Sequence, residues 1–182
     1  MNQLLTNKDL AKLSMLVGRE FKYVAGPNLL SNMLDITVYV VAEGLNIEVQ
    51  GSTEELLIQE EWEDIFKLFI GDATIQNVQE ALDRGNVFVK YKGEKINSVK
   101  VIQQEIRVDV DNKQELDIKL HTGLVIGLDS GFIYILAQDM HIPLLEVGYS
   151  VVLDQNLISN TANRFVQDLN QQVYVQTYLV DV

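Results

Sequence analysis

Apolar positions along the chain switch between two periods, and the switches mark out its elements. Over residues 6–17, Leu10, Leu13 and Val17 recur at i, i+3 and i+7, the spacing of one helical face. Thr6 and Asp9 make a weak capping box ahead of them and Gly18 supplies the stop, so a short helix is expected there. Residues 21–24 are extended and run into Gly26-Pro27, a loop signal. Two stretches rich in β-branched residues, DITVYVVA at 35–42 and LNIEVQ at 45–50, are separated by Glu43-Gly44 and predict a hairpin. The segment 52–71 (STEELLIQEEWEDIFKLFIG) carries both periods. Ile58, Trp62, Ile65 or Phe66, and Phe69 fit a helical face, whereas 65–70 reads as a strand. Its β-branched and aromatic content favours the strand.

Downstream the pattern is clearer. Thr74 caps a helix with Ile75, Val78 and Leu82 on one face and Arg84-Gly85 at its end. Strands at 87–91 and 96–101 flank the turn Lys92-Gly93-Glu94-Lys95, and the second runs on or restarts through 106–110. After a turn at Asp111-Asn112-Lys113 come strands at 116–120, 124–128, 132–137 and 142–147. A short helix is expected at 161–169, with Phe165, Val166 and Leu169 inward, and a closing strand at 173–182. This order never alternates strand and helix regularly. The expected class is therefore α+β, mainly antiparallel β, with about ten strands in a sandwich or a highly curved mixed sheet and three short helices. One domain over 1–182 is expected, with a candidate seam near 85/86.

Composition narrows the chemistry. The chain has 182 residues, 47% hydrophobic and 22% charged, ordinary values for a globular protein. Cysteine is absent, which removes disulfides, thiolate metal sites and cysteine nucleophiles. The start, MNQLLTNKDL, has neither a basic nor an apolar leader region, and no apolar run approaches the roughly 20 residues that span a bilayer. A cytoplasmic protein is expected. Its 26 acidic residues against 14 basic ones give a formal charge of −12, which repels nucleic acid and anionic membranes and attracts basic proteins.

Candidate motifs are few. LVIGLDSG at 124–131 superficially resembles the phosphate-binding hairpin of the actin and sugar-kinase superfamily, in which an Asp holds Mg²⁺ through water and a Gly admits phosphate. That superfamily needs two such domains and a second phosphate loop, and this chain has neither. Asp129-Ser130-Gly131 reads instead as a hairpin loop, with Gly131 expected at positive φ. His121 and His141 are the only histidines, each beside a turn, and no G-x-S-x-G elbow accompanies them. Asp109 and Asp111 share a strand face and could bind a divalent cation, but a solvated strand end entering a turn explains them better. Lys90, Lys92, Lys95 and Lys100 with Tyr91 are a faint nucleic-acid signature; an edge hairpin guarded by lysines fits them better. No catalytic residue, metal or cofactor is assigned.

Charge distribution supplies the one abnormal feature. From Tyr23 to Phe66 there is no Lys or Arg, while Asp35, Glu43, Glu48, Glu54, Glu55, Glu60, Glu61, Glu63 and Asp64 all fall in that interval. Its end, EEWEDIF, sets the only tryptophan among four carboxylates. The candidate partner-binding residues are Glu54, Glu55, Glu60, Glu61, Trp62, Glu63 and Asp64: an aromatic anchor ringed by acids is what a binder of a basic surface presents. The same residues with Trp62 turned inward are a strand with a charged outer side. The expected function is a non-enzymatic acidic inhibitor of immunity-protein or nucleic-acid-mimic type (nuclease inhibitor, anti-CRISPR-like) that blocks a basic partner such as a nuclease or toxin, with no direct contact to nucleic acid or membrane. The alternatives are a phage or secretion-locus scaffold that oligomerises through edge strands such as 173–182, and an enzyme or ligand binder built from scattered carboxylates.

Overall fold

The structure, a computed structural model, describes residues 2–27, 29, 34–58, 61–84, 87–88, 93–111, 113–160 and 171–182. Its elements run β1 (Asn2–Gln3), α1 (Asn7–Ser14), β2 (Phe21–Ala25), β3 (Leu34–Asp35), β4 (Thr37–Ala42), β5 (Leu45–Ile58) and β6 (Glu61–Asp72). They continue with α2 (Ile75–Asp83), β7 (Val87–Phe88), β8 (Ser98–Val110), β9 (Lys113–Gly127), β10 (Phe132–Ala137), β11 (Leu145–Ser150), α3 (Gln155–Asn160) and β12 (Gln171–Asp181). One sheet has the order β6-β5-β4-β2-β7. The other has the order β12-β8-β9-β10-β11-β3, with β1 lying parallel against β9. Every other described pairing is antiparallel. The fold is α+β and mainly antiparallel.

The two sheets face each other across one core. Phe21, Val38, Val40, Val49, Phe66 and Leu68 come from the first sheet; Val99, Val101, Leu124, Ile126, Ile133 and Ile135 come from the second, with Leu13 of α1 and Leu16 of the turn after it among them. The outer faces are covered too. Val78 and Ala81 of α2 pack on Ala25, Tyr39 and Val41, and Ile158 of α3 packs on Ile102, Val125, Tyr134 and Leu136. A central strand buried on both faces loses its alternation. That is why DITVYVVA reads as a nearly continuous apolar run.

Beyond the sandwich the long strands continue as a second packed unit. Cross-strand rows Val108–Leu116–Val173 and Ile106–Ile118–Val175 lie under Ile65 and Leu56 of the β5–β6 hairpin. Ile65 and Phe66 are consecutive and both fully buried, one in this distal cluster and the other in the main core. Here β6 leaves the sandwich and its faces exchange roles. The loop at 138–144 clamps this point, because the Phe66 N–H donates to the Met140 carbonyl at 2.6 Å and the His141 ring lies against the Asp64 carbonyl at 2.7 Å.

Local signals set most boundaries. Thr6 and Asp9 form a complete capping box on α1, Thr74 caps α2, and Gly18 and Gly44 take positive φ where their turns need it. Several expectations change. Among the described residues, the segments expected as a hairpin at 87–91 and 96–101 do not pair with each other: β7 pairs with β2 and β8 with β9 and β12, so the chain passes from one sheet to the other between them. Segments 116–120 and 124–128 are one strand. The apparent break is a bulge around Thr122, where the register shifts and Gly123 lets the Ile135 carbonyl come close. The strand expected at 142–147 is displaced to β11, because Pro143 lies in the clamp loop. The strand at 65–70 is present, as part of the longer β6. The helix expected at 161–169 lies outside the described residues.

Candidate functional site

Twelve successive pairs hold β5 against β6, from Ile47↔Asp72 to Ile58↔Glu61, without a register shift. Side chains therefore alternate strictly between two faces. Near the root, Val49, Phe66, Leu68 and Ile70 fill the core on one face. Past Phe66 that same face carries Asp64 and Trp62, with Glu55 and Leu57 as their partners across the strands, and all four are exposed. Trp62 is 68% exposed and sits directly opposite Leu57. The next pair inward is Glu55 and Asp64, two carboxylates facing each other. Like charges at directly opposed positions destabilise a sheet. Among the described residues no lysine or arginine forms an ion pair with either.

The remaining candidates do not join this face. Glu54 belongs to the other side, where Lys67 holds it at 2.6 Å; hydrogen bonds from Lys67 and then Gln3 lower its pKa below the usual carboxylate value. Glu63 is also on the far face, half-buried beside Leu56. Glu60 lies outside the described residues, and Glu61 is described only by its backbone pairing with Ile58. Asp35 is buried, accepting hydrogen bonds from the Ile36 and Thr37 N–H groups, while Glu43 occupies the β4–β5 turn and Glu48 sits beside Gly71. The acid-rich interval thus does not form one stripe. A hairpin splits neighbouring acids between its faces, and only Glu55, Asp64 and Trp62 of the described candidates stay together. Leu57 completes the group. Its exposure was not read from the sequence, although the alternation opposite Trp62 carries that signal.

Other chemistry closes on itself. His121 is buried in β9, and its Nδ1 accepts the Leu5 N–H at 2.9 Å, so its proton sits on Nε2. Burial lowers its pKa to about 4. His141 is exposed and donates from Nδ1 to the Asp64 carbonyl, a tie across the clamp. Asp109 is gripped at both oxygens by Arg107, each at 2.7 Å, and the same contact raises the guanidinium pKa. Asp111 sits in the turn at φ 49°. Among the described residues no three His, Asp or Glu side chains group as metal ligands.

The loop Asp129-Ser130-Gly131 joins β9 to β10 as a hairpin end, with a different role for its glycine. Gly131 lacks positive φ. It is required because a Cβ there would strike the Tyr149 hydroxyl and the Ser150 carbonyl. The Ser130 N–H and hydroxyl both donate to the Glu94 carboxylate, at 3.1 and 2.8 Å, so an acid of this chain holds the donors a phosphate would need. Of the lysine cluster, Lys90 and Lys92 lie outside the described residues, and Lys100 pairs with Asp181 at 2.8 Å. No described helix is long and apolar enough to cross a membrane. No protein-family model, curated protein or solved structure matches the chain.

Proposed function

We propose that the protein is a non-enzymatic, acidic protein-binding inhibitor of the immunity-protein or nucleic-acid-mimic type, which covers a basic surface of its partner with the outer face of the β5–β6 hairpin. One observation carries the reading: an exposed Trp62–Leu57 pair adjoins a Glu55–Asp64 pair that no described lysine or arginine neutralises, on a hairpin anchored at Ile65 and Phe66. Each half matters physically. A large exposed aromatic beside a leucine offers the apolar centre of a binding hot spot. Two facing carboxylates repel each other until a lysine or arginine from outside comes between them, so association relieves a cost already present. The formal charge of −12 adds long-range attraction for a basic protein.

A panel of basic nucleases and toxins, assayed for binding and for inhibition, tests this. The wild-type protein is expected to bind at least one member and to weaken steeply as salt shortens the Debye length from about 10 Å toward about 3 Å. Trp62→Ala is expected to cost about 2 kcal/mol or more of binding. The double reversal Glu55→Lys/Asp64→Lys is expected to abolish it. Binding that both variants retain in full places the interface elsewhere and refutes the proposal.

A further inference from the structure

A sheet end presents unpaired N–H and C=O groups, and proteins blunt such ends with short strands, charges, prolines or bulges. β3 and β7, the far ends of the two sheets, are described over two residues each, so the comparison lies between β6 and β12, and β6 follows that rule. β6 carries Glu61, Glu63, Asp64, Lys67 and Asp72, is clamped by the Met140 carbonyl, and is bridged to α1 through Lys12 and Asp72. β12 does not. It pairs with β8 through eleven successive residues without a bulge, and among the described residues nothing pairs with its outer edge. Its sequence, QQVYVQTYLVD, contains no proline, and its one charge, Asp181, is held by Lys100.

The side chains of β12 show the same incompleteness. Gln172, Tyr174, Gln176 and Tyr178 form one exposed row, with each tyrosine hydroxyl donating to the glutamine two residues before it. On the other face Val173 and Val175 join the distal cluster and Leu179 joins the α3 cluster, yet all three remain only half-buried. A neighbouring strand would cover that apolar row.

We infer that β12 pairs antiparallel with β12 of a second copy of this chain, joining two seven-stranded sheets across a two-fold axis. Charge selects this occupant. At −12, two copies repel across most of their surfaces, but residues 171–180 are neutral and bring no charge against charge. The strand is also self-complementary. In a two-fold antiparallel pairing, the Gln/Tyr row meets another Gln/Tyr row and the Val/Leu row meets another Val/Leu row.

Sedimentation velocity over a rising concentration series, to about 200 µM, reads the association directly. A dimer is expected that persists at high salt, unlike the partner binding proposed for the hairpin, so either reading can fail without the other. Gln172→Glu/Gln176→Glu places like charges along the exposed row that meets its own copy. It should weaken dimerisation at least tenfold while leaving circular dichroism and the melting temperature of the monomer unchanged. Hydrogen exchange should show outer-edge amides of β12 protected only as the dimer fills. A wild-type monomer throughout the series, a dimer indifferent to the double substitution, or exchange in β12 independent of concentration would each overturn the inference.

Discussion

Two buried polar residues in the distal unit mark where this fold departs from an apolar interior. Gln104 is fully buried, and neither its amide nitrogen nor its oxygen has a hydrogen-bond partner among the described residues. An unsatisfied buried polar group costs about 1–3 kcal/mol, so Gln104→Met, similar in length and apolar, should stabilise the protein. Thermal melting should rise by about 2–4 °C for each kcal/mol gained. His121 carries a pH dependence of definite sign. Its folded pKa of about 4 lies below the ordinary 6.5, so the unfolded chain takes up its proton first. Its neutral form supports the fold fully above pH 6.5, and that support is lost as pH falls toward 4, by on the order of 3 kcal/mol in total. Protonation would also end the acceptance of the Leu5 N–H that ties the N-terminal segment to β9. Urea unfolding at several pH values should show a smaller acid loss in His121→Gln than in the wild type across that window.

The β5–β6 hairpin separates stability from recognition along a single strand. Ile65 anchors it from the inner side, fully buried among Ile106, Leu116 and Ile118, while Trp62 three residues earlier faces outward. Ile65→Ala should therefore cost about 2–5 kcal/mol, whereas Trp62→Ala should change stability by no more than about 0.5 kcal/mol, both read by chemical denaturation. Capping residues and turn glycines made α1, α2 and the β4–β5 hairpin legible in the sequence, because those signals are local. The length of β6 was legible only in its last half. Residues 58–66 place apolar groups at a helical spacing because the strand changes which face it buries at Ile65 and Phe66, and that exchange imitates a 3.6-residue period. The bulge at Thr122 misled in the same way, since a broken alternation looks like two strands.

At the scale of the molecule, charge asymmetry was visible in the sequence but its geometry was not. Nine acids in an interval without cations suggested one continuous acidic stripe. Strand alternation, a buried Asp35 and the Lys67–Glu54 pair reduce it to one compact face beside Trp62, with the neutral stretch 171–180 of β12 belonging to the other sheet. The association of the two sheets could not be foreseen from 87–101, because Lys92-Gly93-Glu94-Lys95 looks like a hairpin turn, whereas the described strands on either side of it belong to different sheets. The chain's only tryptophan lies on the same face as Glu55 and Asp64, and this makes the central claim directly measurable. Titrating the protein with an inhibited, tryptophan-free basic nuclease at low salt should shift Trp62 emission to shorter wavelength as the ring leaves water, and added salt should reverse the shift. Saturable binding that leaves the emission unchanged would show that the partner sits on another surface, and would contradict the account.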